Sequence, residues 1–287
     1  MAVTAEQVKA LRDRTGAGMM ECKAALIESG GDMDAAIDIL RKRGLAQAAK
    51  KAGRSTSEGL IGCFISGDSR TGALVEVNCE SDFVARTDDF KALVDAVAAE
   101  VVKAGDGVTD AILTDPNGPV APRIAAGIAK LGENMGASRL VRFSGDGYVG
   151  SYVHLGGKIG VLVQFAPVAA DTANRPEFRT LAKEIAMQVA AASPQFVRRD
   201  EIPADVLERE RAVYRGQMEG SNKPPQVLEK IIEGKLGSFY EQVVLPDQPS
   251  IRDPKTTVSQ MIAAAAKTLG TDVRVTRFAR LRVGEAS

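Results

Sequence analysis

The sequence has little of what metal centres, disulfide scaffolds and membrane spans require. Its 287 residues include no tryptophan, one histidine and three cysteines. The cysteines, Cys22, Cys63 and Cys79, have spacings that fit neither a disulfide framework nor a zinc site, which indicates a reducing compartment. The first residues have no charged segment leading into an apolar stretch, and no apolar run nears the roughly 20 residues that span a bilayer. We therefore expect a cytoplasmic protein with no membrane interaction.

The chain also has a formal net charge of zero. Lys plus Arg and Asp plus Glu both number 37, so the chain has no overall field that would attract nucleic acid. We expect no direct nucleic-acid binding, and a protein or a small ligand is the better default partner. The basic runs Arg41–Arg43 and Lys50–Arg54 are interpreted as solvated helix ends, with an RNA-binding patch as the alternative.

Residues for cofactor chemistry are scarce. A lone histidine, His154, cannot build a metal site, and no glycine-rich loop of the phosphate-cradling type is present. The glycines between Gly145 and Gly150 precede a strand instead of opening a helix, which is the wrong context for a dinucleotide fingerprint. We expect the chain to bind no metal, nucleotide or other cofactor.

The first 45 residues have the pattern of a small helical module. Apolar residues recur at three and four positions in three runs that are separated by glycine breaks. The second run ends at Gly30-Gly31, and Asp32 is placed to cap the third helix. Residues 46–57 are small, polar and basic without an apolar stripe, which predicts a partly helical linker before a core that starts near Glu58.

An internal repeat organises the core. The segment from Gly59 to Val101 matches Gly147 to Val189 at a constant offset without gaps. Each copy has the pattern of a strand, a glycine turn, a second strand and an amphipathic helix. The sequence thus predicts an α+β fold with antiparallel sheets, the first core half at 58–145 and the second at 146–287.

Another pattern interrupts the second half at 204–245. Two helical faces flank a turn at Gly220–Pro225, which predicts an inserted antiparallel coiled-coil hairpin. A last helix at Val258–Leu269 and a strand at Val273–Val283 then close this half.

The repeat also serves as an internal control for function. Asp82 stands opposite Ala170, and Phe83 stands opposite the charged Asp171. A phenylalanine whose counterpart is charged is not needed for the shared core, and binding residues concentrate in loops. We interpret Asp82-Phe83 as a contact pair. The alternative is that Phe83 packs back over its own sheet while Asp82 caps the following helix.

Two long motifs resemble the elongation factor Ts family. Glu76 to Arg86, EVNCESDFVAR, is similar to one family signature, except that Ser81 stands where threonine is usual. Leu11 to Leu26 is similar to the second signature, with Ala24 in place of a polar or basic residue. Further likeness lies in the hairpin and in two short segments, Lys130–Asn134 and Gly150–His154.

The resemblance implies a translation factor that acts by contact and is not an enzyme. Its partner would be the GTPase elongation factor Tu, in the GDP-bound and nucleotide-free states. Residues Ser81 to Val84, here called the exchange loop, would enter near the magnesium and nucleotide site, with Phe83 as an apolar wedge and Asp82 as its polar partner. GDP would leave and GTP would rebind, because an exchange factor needs only to bind the nucleotide-free state more tightly. The resemblance also makes the three-helix module UBA-like.

The resemblance implies further partner contacts, each with a structural alternative. Arg12 matches a contact position, as do Met19 and Met20, although a helical methionine pair is often part of a core. The remaining contact positions match Leu131-Gly132, alternatively a helix end, and His154, alternatively a structural histidine.

Two other classes of function stay open at this point. A ribosome- or RNA-associated binding protein without exchange activity would need a concentrated basic face. An enzyme that uses a cysteine would need a thiol of lowered pKa beside His154.

Overall fold

The computed structural model describes residues 3–218 and 224–285, apart from the side chain of Leu45. Helices and two small antiparallel sheets make up the described part, which confirms the predicted α+β fold. The helices are α1 Ala5–Thr15, α2 Met19–Glu28, α3 Met33–Lys51, α4 Asp82–Ala85, α5 Asp88–Lys103, α6 Ala111–Thr114, α7 Ala121–Leu131, α8 Ala170–Asn174, α9 Pro176–Ala192, α10 Ala204–Gly216, α11 Pro225–Val243 and α12 Val258–Leu269. The strands are β1 Glu58–Ile65, β2 Gly72–Cys79, β3 Met135–Phe143, β4 Val149–His154, β5 Ile159–Phe165 and β6 Val275–Arg282.

Helices α1 to α3 pack around a small core of their own. Gly16 ends α1 in the left-handed conformation at φ 68°, and Asp32 caps α3 by accepting a hydrogen bond from the N–H of Ala35. The buried side chains come from all three helices, namely Val8, Leu11, Cys22, Ala25, Leu26 and Ala36.

Helix α3 is longer than the sequence predicted, because it continues to Lys51 through the first half of the predicted linker. It packs along α7, where a Cβ at Gly44 would lie 3.7 Å from the Ala125 carbonyl oxygen and from Ala129. Such contact through small residues stabilises a helix without the large apolar stripe that sequence patterns reveal. The division of the chain into domains stays a prediction.

The repeat appears as two similar three-stranded sheets. Their strand orders are β1-β2-β3 and β4-β5-β6, and all pairs are antiparallel. A bulge interrupts the pairing of β2 with β3 at Glu76/Val77, and another interrupts the pairing of β5 with β6 at Gln164/Phe165. These are matching positions of the repeat. The equivalence therefore extends to β3 and β6, which the gapless match does not reach.

The two sheets face each other, and helices cover their outer faces. Between the sheets lie Ile61, Leu74 and Leu162, and the repeat glycines Gly72 and Gly160 allow this close approach. A Cβ at Gly160 would lie 2.5 Å from the Ile61 side chain. Helices α5 and α7 cover the first sheet, and α9 and α12 cover the second.

Helices α10 and α11 form the inserted pair. Ion pairs between the Arg211 and Glu233 side chains at 3.3 Å and between Arg215 and Glu229 at 4.0 Å show that the two helices run antiparallel. The predicted turn at 220–225 lies largely outside the described residues. None of the described helices is long and apolar enough to cross a membrane.

Candidate partner-binding site

Residues Asp82 to Val84 of the exchange loop lie in the short helix α4, which follows the end of β2. Ser81 caps this helix by accepting a hydrogen bond from the N–H of Val84 at 3.3 Å. Phe83 is 79% exposed, the highest value among the large hydrophobic residues that the structure describes. The alternative interpretation, in which Phe83 packs over its sheet and Asp82 caps the next helix, is not observed. Phe83 is exposed, and the next helix, α5, is capped by Thr87.

The Glu133 carboxylate fixes the start of the exchange loop, and its two hydrogen bonds with Ser81 are here called the Glu133 clamp. Glu133 lies just past the end of α7, and its carboxylate accepts the backbone N–H of Ser81 at 3.0 Å and the Ser81 hydroxyl at 2.6 Å. The Ser81 hydroxyl therefore donates to Glu133 while it caps α4. This arrangement fixes the base of the helix that presents Phe83.

A second set of contacts joins the same two segments. The N–H of Asn134 donates to the Glu80 carboxylate, and this bond, helped by Arg54, lowers the pKa of Glu80. The Asn134 side-chain amide donates to the Arg54 carbonyl oxygen at 2.7 Å, and the Lys51 ammonium donates to the Gly132 carbonyl oxygen at 2.7 Å. The end of α3, the end of α7 and the exchange loop thus form one connected unit.

Asp82 is less constrained than its neighbour Ser81. Its carboxylate accepts a hydrogen bond from the Arg86 guanidinium at 2.6 Å, within one helical turn. The Arg86 side chain is 78% exposed, so the pair is weak and solvent-screened. Asp82 can exchange this partner for another at little cost.

The predicted positions Leu131 and Gly132 do form a helix end. Gly132 ends α7 in the left-handed conformation at φ 80°, with its N–H donating to the Ile128 carbonyl oxygen. Leu131 is partly buried against the first half of the core, whereas Gly132 is exposed. Because Glu133 follows at once, this helix end lies directly beside the exchange loop.

The N-terminal positions are exposed and lie near the same helix end. Met19 is 56% and Met20 75% exposed, so the core interpretation of this pair is wrong; Arg12 is exposed as well. The turn before α2 touches α7, since a Cβ at Gly16 would lie 3.4 Å from the Lys130 side chain.

His154 precedes Leu155, a residue that shares a cleft with the exchange loop. It ends β4, is exposed, and its Nδ1 lies 2.9 Å from the Tyr152 hydroxyl. The next residue, Leu155, lines a cleft together with Asp82 and Arg86. The structure therefore places the residue after His154 beside the exchange loop. Glu133 joins the end of α7, with Leu131 and Gly132, to Ser81, and the turn before α2 contacts α7 at Lys130.

Comparison with known proteins decides the family. A family model described as Elongation factor TS matches residues 80–285. This chain belongs to the elongation factor Ts family. The elongation factor Ts of Trichlorobacter lovleyi is 44% identical over 291 residues, covering 99% of this chain and 94% of its own length. That of Nitratidesulfovibrio vulgaris is 45% identical over 289 residues, with 99% and 97% covered. That of Aquifex aeolicus is 44% identical over 295 residues, with 99% of both chains covered.

Two of the three cysteines of this elongation factor Ts family member have a pKa shifted against the thiol-enzyme hypothesis. Burial raises the pKa of Cys63, and burial together with the negative charge of Glu133 raises the pKa of Cys79 to about 11. A nucleophilic thiol needs the opposite shift.

The basic runs are partly neutralised by contacts within the protein. Arg43 pairs with Glu28, Arg54 pairs with Glu80 at 3.4 Å, and Lys51 bonds the Gly132 carbonyl oxygen. Three of the six cations in these runs therefore bond groups within the protein.

Two features of the site were not identified from the sequence. The Glu133 clamp lies inside the segment Lys130–Asn134, whose likeness to the family was the available signal. The other feature is Leu155, 66% exposed beside the cleft. The signal for Leu155 was its repeat counterpart, Gly67, which shows that the shared fold needs no side chain there.

Proposed function

We propose that this chain is a cytoplasmic translation elongation factor that binds elongation factor Tu with GDP bound and speeds the release of GDP, after which GTP rebinds. The observation that carries the proposal is Phe83, a large apolar side chain 79% exposed at the tip of a clamped helix. Its counterpart in the second copy is the charged Asp171. Exposure of this kind at a fixed position marks a contact surface more than a packing element.

The proposed mechanism needs no chemistry from this chain. GDP is held in such GTPases by its phosphates and a magnesium ion, so a wedge that distorts this region weakens nucleotide binding. The factor accelerates exchange because it binds the nucleotide-free state more tightly than the GDP-bound state. By reciprocity, GDP or GTP weakens the binding of the factor by the same ratio.

The clamped loop suits a wedge. Burial of one exposed phenylalanine side chain is worth about 1.5–3 kcal/mol, provided that binding does not have to order the loop. Glu133 and Ser81 supply this order in advance, which lowers the entropy cost of docking. Among the described residues, the Asp82 carboxylate is bonded by the exposed Arg86 alone, so it is free to contact the partner near its magnesium ion.

The other contact positions join this proposal as a wider interface. Met19 and Met20, with Arg12, would contact the partner on one side of the exchange loop. Leu131 and Gly132 lie beside the loop, and His154 precedes Leu155, which lines a cleft with Asp82. All of these side chains or backbone positions are exposed or partly exposed, as a docking surface requires.

Stopped-flow release of fluorescent GDP from elongation factor Tu tests the proposal. Wild type should accelerate release, and Phe83→Ala should lower the apparent second-order rate constant for release by roughly 10- to 100-fold, the equivalent of one buried phenylalanine. Asp82→Ala should have a smaller effect, because its existing ion pair is weak.

Phe64→Ala is the matched control, since Phe64 is also exposed, at 40%, but lies on β1 away from the exchange loop. It should leave the rate unchanged. A wild-type chain without any effect on GDP release would reject the function, whereas equal rates for wild type and Phe83→Ala would reject the wedge alone.

A further inference from the structure

The repeat gives the molecule two equivalent clefts. The first lies between α4 and the turn that follows β4, and includes Asp82, Leu155 and Lys158. The second lies between α8 and the turn that follows β1, and includes Ala170, Gly67 and Arg70. These residues correspond in that order in the repeat. The same fold therefore offers a comparison between a cleft that borders the exchange loop and one that does not.

The clefts differ in apolar exposure. At the first, Phe83 and Leu155 are 79% and 66% exposed. At the second, the corresponding positions hold Asp171 and Gly67. Since neither counterpart is apolar, the fold shared by the two halves does not require either hydrophobic side chain. Leu155 lines the first cleft, and Phe83 follows Asp82, which lines it as well.

The backbone of Leu155 adds an independent observation. Its φ is 51°, in the left-handed region, and the next two residues, Gly156 and Gly157, have φ of 63° and 100°. Glycine takes this conformation freely, whereas a bulky residue does so under steric strain. Of the described residues other than glycine, only Ser69 and Ser193 share a positive φ with Leu155. Strain of this kind concentrates at functional sites.

We propose that Leu155 is a second apolar contact for the partner that receives Phe83, placed across the cleft from Asp82. The proposal rests on the proposed function, because it takes elongation factor Tu as the partner. Leu155, from the second core half, and the exchange loop, from the first, would then contact the same surface of the partner. Phe83 would disturb the nucleotide site, while Leu155 would contribute mainly to binding.

The test is the concentration dependence of GDP release by wild type, Leu155→Gly and Leu155→Asn. Both variants accept a left-handed backbone, so thermal unfolding should show no loss of stability. Each should raise the half-saturating concentration of the factor about tenfold, as for a strong interface contact. The maximal rate should change less than twofold.

Two control variants make the result decisive. Ile251→Ala removes another exposed apolar side chain, 44% exposed, and should behave as wild type. Phe83→Ala reports on the proposed function itself. If Phe83→Ala loses activity while both Leu155 variants keep the wild-type half-saturating concentration, the inference about Leu155 is wrong and the function stands. If wild type does not accelerate release, the proposed function fails and this inference fails with it.

Discussion

Replacement of Glu133 by alanine should loosen the exchange loop without unfolding the protein. Glu133 accepts two hydrogen bonds from Ser81, at 3.0 and 2.6 Å, and Ser81 in turn caps α4. Hydrogen bonds to a charged group are worth about 1.5–3 kcal/mol each. Because Ser81 and Glu133 are only partly buried, water replaces part of the lost hydrogen bonding in the variant. We therefore expect the stability of the exchange loop to fall by about 2 kcal/mol.

Amide hydrogen exchange measures this loss locally. A decrease of about 2 kcal/mol in the free energy of local opening corresponds to about thirtyfold faster exchange. The increase should be confined to residues 81–87. Glu133→Gln should fall between wild type and Glu133→Ala, because it keeps one acceptor oxygen for Ser81.

Glu241→Ala controls for the loss of an exposed carboxylate, since Glu241 lies on α11. It should leave exchange in the loop unchanged. Unaltered protection of residues 81–87 in Glu133→Ala would refute the clamp, and a uniform increase along the whole chain would assign Glu133 to global stability instead.

Three further predictions concern the core. Gly160→Ala should lower the free energy of unfolding by about 1–3 kcal/mol, because its Cβ would lie 2.5 Å from a side chain of the facing sheet; Gly136→Ala, on β3 with open space around it, should cost much less in the same denaturant titration, and equal losses would contradict the account. Arg139→Met should lower the free energy of unfolding by about 3 kcal/mol, because it removes the cation that pairs with the Glu76 carboxylate, a group that is 3% exposed; Glu76→Gln introduces the residue found at the matching position of the second copy, Gln164, and should cost less, and the reverse order would contradict a role for this ion pair. The raised pKa of Cys79, about 11, means that the unfolded chain ionises this thiol at lower pH, so its contribution to stability falls as pH rises from about 9 towards 11. At pH 8 the folded thiol should react with iodoacetamide about a hundredfold more slowly than in urea, and comparable rates would show that the pKa is not raised.

The repeat carried most of what the sequence could predict of the fold. Its gapless match located β1, β2 and α5 and their counterparts, since glycines and aliphatic residues recur where strands and helices must pack. It could not locate β3 and β6 as equivalents. Segments of different length separate them from the matched part, because α10 and α11 are inserted in the second half only.

Exposure was harder to predict than secondary structure. The pattern in α2 groups Met20 and Ile27 with the apolar residues of that helix, yet both are exposed, at 75% and 61%. Periodicity shows that a helix has an apolar face, but not how wide a stripe its neighbours cover. Phe83 was an exception, because the repeat supplied a charged counterpart at the same place in the fold.

The Glu133 clamp could not be derived from spacing. Ser81 and Glu133 are far apart in the sequence, and their contact depends on β2 pairing with β3 and on where α7 ends. The role proposed for Leu155 likewise depends on a cleft that residues of both core halves line. Sequence motifs marked both neighbourhoods, but only tertiary structure shows which side chains meet.

The proposed exchange activity requires that this chain bind elongation factor Tu more tightly without nucleotide than with GDP. The most direct measurement is the dissociation constant of the complex, determined by titration calorimetry with nucleotide-free elongation factor Tu and again with saturating GDP and magnesium. We expect much weaker binding with GDP, because coupling between the two ligands is reciprocal. The ratio of the two dissociation constants should be smaller for Phe83→Ala than for wild type. Equal dissociation constants in both conditions would contradict the proposed exchange activity, since a factor that binds both states equally shifts no nucleotide equilibrium.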